Sequence, residues 1–262
     1  MTQNQHDGAC VREESLTVAP TTLIDQHRDG NRLEGGVRQE VSAMHRSPVV
    51  SVVIVVYRDR GEVEALLENL KTFRRSEVEV VIIDGGSDDG TLEVLRKNSD
   101  CIDYWLSEPD EGIYDAMNKG IAAAQGEYVI HLNAGDRLLC VPFAALKACS
   151  TRNVDVLCCG VLDEGCKSFM PRRSVLSKIR NGWHHQGTFY RRTGFLGYDK
   201  SYRVYGDFDH NLKTAWFDIE KRVLDQAYMI KVTDTGSLRG YNTRVQGLKP
   251  YFYIRFWNTW LK

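Results

Sequence analysis

Three acids and a histidine stand where side-chain type and setting could do chemistry. Asp136 ends the turn Asn133-Ala134-Gly135-Asp136, which closes the short apolar run Tyr128-Val129-Ile130-His131-Leu132. A run of that kind reads as a strand, so the carboxylate stands at its carboxyl end, where open α/β sheets bind ligands. An acid there could hold a divalent cation against a diphosphate, or it could cap the next helix. Asp84 ends a second apolar run and opens Asp84-Gly85-Gly86-Ser87-Asp88-Asp89-Gly90. It could accept a hydrogen bond from a nucleobase imide or a ribose hydroxyl. It could also brace the turn while Ser87 or Asp88 caps the following helix. His185, in His184-His185-Gln186-Gly187-Thr188-Phe189-Tyr190, could ligate a metal, bond a phosphate oxygen or serve structure alone. Asp207 precedes Leu212, Ala215 and Trp216, which lie at helical spacing. As the first acid of that helix it complements the dipole, or it acts as a general base at the rim of a cleft.

The elements that must position these groups follow from periodicity. Val49 to Tyr57 is a nearly continuous β-branched run, the mark of a strand buried on both faces of a parallel sheet. Val63, Leu66, Leu67, Leu70 and Phe73 then line one face of a helix over 62–74. Further strands are expected at 78–83, 102–106 and 127–132, with helices at 91–97 and through Ile113, Met117, Gly120, Ile121 and Ala124. Gly120 thins that last helix so that it can lie close to the sheet, and Gly126 is expected to end it. This β-α-β-α-β-α-β order argues for a parallel sheet wrapped by helices. The second half is less regular: a helix over 142–149, strands at 154–160 and 223–232, a return strand at 166–170, and a loop entering a strand at 184–190.

Composition excludes little but excludes it plainly. Of 262 residues, 42% are hydrophobic and 26% charged, as in ordinary globular proteins. A formal net charge of -1 gives no support to nucleic-acid binding. The seven cysteines form no CxxC pair and no zinc spacing, which suits a reduced, cytoplasmic setting. No apolar run is long enough to span a bilayer, and the amino terminus has no signal-peptide core. Residues 1–47 are polar and read as a disordered extension. Residues 239–262 are aromatic and basic, with no acid. Such a tail suits peripheral contact with a membrane interface, or a last helix packed on the sheet.

Taken together, SVVIVVYRD, VVIIDGGSDDGT, SEPDEGIYDAMNKGIAAAQGEYVIHLNAGD, HHQGTFY and VYGDFD resemble the family 2 glycosyltransferases, above all the branch that builds bacterial exopolysaccharides of the colanic-acid type. The resemblance covers roughly residues 49–235. It implies a GT-A fold over 48–238, a nucleotide-diphospho-sugar donor (a UDP-sugar), a glycan or lipid-linked sugar acceptor, a divalent cation (Mn2+ or Mg2+) and an inverting transfer. Position by position, it implies that Asp84 contacts the donor base, with Tyr57, Asp110, Asn118, Asn133, His185 and Gln186 also on the donor side. Asp136 would be the metal carboxylate and Asp207 the catalytic base. One departure stands out: two acids of the family's usual turn are Asn133 and Gly135 here, leaving Asp136 as the main metal carboxylate. Two other functions remain open on the residues alone. One is a nucleotidyltransferase, which should favour a Gly-rich basic loop after the first strand; Tyr57-Arg58-Asp59-Arg60-Gly61 is a weak version. The other is a non-catalytic, nucleotide-binding partner in a polysaccharide assembly complex.

Overall fold

The structure, a computed structural model, describes residues 32–40, 47–162, 168–171, 183–216 and 223–231. At its centre are β2 (Val50–Val56) and β3 (Val78–Asp84), and every residue of both strands is buried. They lie side by side in parallel register, Val50 opposite Val78 and Val56 opposite Asp84. β4 (Tyr104–Ser107) pairs parallel to β3, and β5 (Tyr128–Asn133) pairs parallel to the other edge of β2. The chain thus winds outward from β2 through β3 to β4, then crosses back to β5. Such a reversal leaves a crevice at the carboxyl ends of the strands.

Side-chain alternation divides the core in two. Val50, Val52, Ile54 and Val56 face one cluster with Val63, Leu66, Leu67 and Leu70 of α2 (Arg60–Lys71). Val53 and Val55 face the other with Tyr114, Ala116 and Met117 of α4 (Ile113–Ala123). Period-two strands covered on both faces explain why these runs carry no polar alternation. Gly120 sets the depth of α4: a Cβ there would collide with Val53 and lie 3.3 Å from Ile83 Cγ1. Gly126 does not end that helix. Ala124 does, by turning extended (φ -64, ψ 143). Gly126 lies where a Cβ would come within 2.6 Å of Ser51 N, so its bare backbone lets the chain pass beneath β2.

The second half completes a sheet of nine strands among the described residues. α5 (Phe143–Thr151) leads to β6 (Val156–Leu162). β8 (Thr188–Arg191) runs antiparallel between β5 and β6. β7 (Ser168–Phe169) is the expected return strand on β6, and β9 (Val223–Lys231) pairs parallel with β6. α3 (Thr91–Lys97) and α6 (Gly206–Trp216) fall where periodicity placed helices.

The reading of 1–47 as one disordered extension is corrected for residues 32–40. β1 (Leu33–Gly35) pairs antiparallel with β4, and α1 (Val37–Glu40) follows. Arg38 forms an ion pair with Glu79, a buried acid of β3, and donates to Ala123 O at 2.7 Å. Polar composition hid this because, beyond Leu33 packed against the core, the segment is held by an ion pair and by strand pairing. Residues 1–31 and 41–46, and the tail at 239–262, lie outside the described residues. Among the described residues no helix is long and apolar enough to cross a membrane.

Candidate active site

The loops at the carboxyl ends of β2, β3 and β4 meet around Gly85. A Cβ there would stand 2.5 Å from Asp110 Oδ2 and 3.3 Å from the Tyr57 ring, so an acid and an exposed aromatic ring flank one bare stretch of backbone. Three of the residues expected on the donor side, Tyr57, Asp84 and Asp110, therefore lie in adjoining loops. Asp84 is fully buried, and its carboxylate accepts from Ser87 N at 3.1 Å, from Ser87 Oγ, and from Ser107 Oγ at 2.6 Å. Asp84 braces the turn and ties β3 to β4. Any ligand contact through Asp84 would share its oxygens with Ser87 and Ser107. The N-cap position of α3 is Gly90, not Ser87 or Asp88, and one residue earlier Asp89 Oδ1 accepts from Thr91 N at 3.1 Å and Thr91 Oγ1 at 2.6 Å.

Asp136 is not a helix cap either, since α5 begins only at Phe143. Its backbone N donates to Asn133 O at 3.0 Å, and its Oδ2 accepts from Asn133 N at 2.7 Å, which closes the turn. The same oxygen accepts from Gln186 Nε2 at 3.1 Å. Gln186 and His185 sit in one turn of 3-10 helix, His185–Gly187, just before β8. His185 turns the other way: its Nδ1 lies 3.2 Å from Asp207 Oδ2. The two acids that sequence reasoning proposed as partners are thus joined through adjacent side chains of one turn.

Asp207 sits in the first turn of α6. Burial works against its ionisation, but the hydrogen bond and charge of His185, with the backbone N–H of Phe208, outweigh burial and hold its carboxyl down to about 2. His184 stacks on His185, ring centroids 5.4 Å apart, and Phe169 meets His184 edge-on. Burial and the neighbouring His185 push His184 down to about 4, so it is a neutral ring at physiological pH.

Asn118 bonds to a loop of the second half. Its Nδ2 donates to Tyr198 O and its Oδ1 accepts from Tyr198 N, both at 2.8 Å. It clamps the 197–198 loop to α4. Tyr114, four residues earlier on the same helix face, was missed. Its hydroxyl donates to Asp207 Oδ1 at 3.3 Å and accepts from Gly206 N at 2.8 Å. A signal was available: polar groups four residues apart, on a helix otherwise lined by apolar and small residues, mark a face that meets polar chain.

Whether these residues suit a divalent cation turns on the oxygens near Asp136. Among the described residues, no three His, Cys, Asp or Glu side chains gather into a cage. Yet Asn133 Oδ1 and Gln186 Oε1 are buried without a hydrogen-bond partner, and both residues bond to Asp136. One carboxylate with neutral amide oxygens is a hard, all-oxygen set. It fits a cation that keeps some waters and takes its remaining ligands from phosphate.

The sequence profile of glycosyl transferase family 2 matches residues 51–205, more than half of the chain. The chain belongs to glycosyltransferase family 2. The match takes in Asp84, Asp110, Asp136, His185 and Gln186, while Asp207 lies just beyond it. Among family 2 relatives, an uncharacterised glycosyltransferase of Mycobacterium tuberculosis is 38% identical over 95 residues, 36% of either chain. This chain therefore spans about a third of that relative's length. A PGL/p-HBAD biosynthesis glycosyltransferase of Mycobacterium bovis is 28% identical over 178 residues, covering 64% of this chain and 70% of the relative. Among solved structures, S. aureus TarS 1-349 in complex with UDP-GlcNAc superposes with a TM-score of 0.58 at 17% identity, covering 74% of this chain and 61% of that one. The mannosyltransferase PcManGT of Pyrobaculum calidifontis, solved with GDP-Man and Mn2+, gives 0.54 at 19% identity, covering 77% and 60%. The fold is GT-A, with a mostly parallel central sheet flanked by helices.

Proposed function

We propose that this family 2 chain is an inverting glycosyltransferase. It moves a sugar from a nucleotide-diphospho-sugar, a UDP-sugar by preference, to a hydroxyl of a glycan or lipid-linked acceptor in polysaccharide or glycolipid biosynthesis. One observation carries this reading: adjacent residues of a single turn, His185 and Gln186, link Asp207 on one side and Asp136 on the other. Two acids with different jobs are thereby held close together. The acceptor hydroxyl attacks the anomeric carbon and gives its proton to the Asp207 carboxylate. The new carbon–oxygen bond forms as the bond to the diphosphate breaks, and the nucleoside diphosphate departs with that electron pair. One displacement inverts the anomeric centre. Asp136, with Asn133 and Gln186, would hold a manganese or magnesium ion, which when bound neutralises charge on the diphosphate. Tyr57 and Asp110, beside the bare backbone of Gly85, take the nucleoside end. The UDP preference is supported by the TarS complex with UDP-GlcNAc, whereas PcManGT was solved with GDP-Man.

The test is a thermal-shift screen of UDP-glucose, UDP-galactose, UDP-GlcNAc and GDP-mannose with manganese, followed by assay of the products. A donor at ~100 times its Kd should stabilise by about 2.7 kcal/mol. Release of a nucleoside diphosphate supports the proposal. Release of pyrophosphate, or saturable binding without any product, overturns it.

A further inference from the structure

The phenol of Tyr114 touches the start of α6 twice, accepting from Gly206 N at 2.8 Å and donating to Asp207 Oδ1 at 3.3 Å. Its ring lies close to the backbone as well: a Cβ on Gly206 would come within 2.8 Å of Tyr114 Cε2 and Cζ. Residue 206 must therefore be glycine to admit the tyrosine. The preceding residue, Tyr205, has φ +69, a left-handed conformation that a side-chain-bearing residue adopts only at a cost. That strained residue and the bare glycine together aim the first turn of α6 at Tyr114.

Asp207 is consequently held from two sides by elements distant in sequence. Tyr114 takes Oδ1 from α4, and His185 faces Oδ2 from the turn before β8. The same helix makes further grips on the approach to α6. Asn118 pairs in both directions with the backbone of Tyr198, and Asp115 meets Lys200 at 3.2 Å. The first two turns of α4 thus act as a template for the stretch from Gly197 to Asp207. Burial, and next the charge of Asp207, push the Tyr114 hydroxyl up, so it remains a proton-bearing donor throughout the working range.

We propose that Tyr114 is the positioning residue for Asp207. It fixes the orientation of the carboxylate, so that the bond to His185 and the approach of the acceptor hydroxyl involve one defined oxygen. The inference rests on the reading of Asp207 as the base, and the experiment separates the two. Nucleoside diphosphate release from UDP-glucose, UDP-galactose, UDP-GlcNAc and GDP-mannose, with manganese and with water as acceptor, is measured for four full-length proteins: wild type, Tyr114→Phe, Asp207→Asn and the double variant. Tyr114→Phe keeps the ring and loses only the hydroxyl. Its kcat is expected to fall about tenfold to a hundredfold, the range for one lost hydrogen bond to a charged group, with donor KM unchanged. The acid limb of its pH profile is expected to move to higher pH, because a carboxylate that loses a donor is less favoured as the anion. In the Asp207→Asn background the same change should cost nothing further. An equal loss in both backgrounds overturns the inference, since it would show that Tyr114 only packs. Wild-type turnover by Tyr114→Phe, beside an inactive Asp207→Asn, overturns it while leaving the base intact. Full turnover by Asp207→Asn removes the base reading and this inference together. Carboxylate NMR of Asp207 supplies a readout independent of activity: its titration must rise in Tyr114→Phe, and an unchanged titration overturns the proposal.

Discussion

Nδ1 of His185 lies 3.2 Å from Oδ2 of Asp207, and this contact keeps a buried acid ionised. Burial alone would raise the carboxyl, yet it stands at about 2. A carboxylate that far below neutrality is a weak base, so the proposed role on an acceptor hydroxyl would rest on position and timing, not on strong proton affinity. Asp136 is held separately, by Gln186 and the Asn133 turn.

Removing the base should separate binding from turnover. Asp207→Asn is expected to bind the donor as wild type does and to lose transfer by ~10²–10⁴-fold, the usual contribution of a positioned base. Calorimetric donor binding alongside product formation checks this. Unimpaired transfer would show that Asp207 does not take the proton.

The same acid makes stability depend on pH. Its folded value, about 2, lies below the ordinary 3.8, so the stabilisation is complete above the unfolded value and is lost as pH falls through about 2. The shift corresponds to about 2 kcal/mol. Urea unfolding of wild type and Asp207→Asn between neutrality and strong acid should show the gap between them narrowing below pH ~4. A constant gap would mean that the acid titrates alike in the folded and unfolded chain.

Metal removal tests the oxygen set around Asp136. EDTA should abolish transfer, and manganese or magnesium should restore it. Asp136→Asn should lose that restoration and also cost about 1–3 kcal/mol of stability, because the Asn133 N–H gives up an ionised acceptor within the turn. Transfer that persists in chelator would remove the cation from the account.

Packing beneath the site is open to test without any substrate. Gly120→Ala places a methyl group against Val53, in a core with no room for it. Overpacking of this kind should cost about 1–3 kcal/mol, read as a lower midpoint in thermal or urea unfolding. An unchanged midpoint would show that α4 can lift from the sheet freely.

What could be read locally was read from local physics. Val50–Val56 and Val78–Asp84 announce buried parallel strands because a strand covered on both faces has no polar side to display. The Asn133–Asp136 turn and the helix start at Asp207 are likewise short-range patterns, and both lie where periodicity placed them. Tertiary structure alone decided how these pieces serve one another. Nothing in its own turn shows that Asp84 accepts from Ser107, on a neighbouring strand. Nothing local to α4 shows that Asn118 meets the loop at Tyr198. Tyr114 meets Gly206, and Arg38 meets Glu79, across chain separations that no periodicity reports. The physical reason is that strand and helix patterns record which side of an element is buried, whereas hydrogen-bond partners depend on which elements the folded sheet brings into contact.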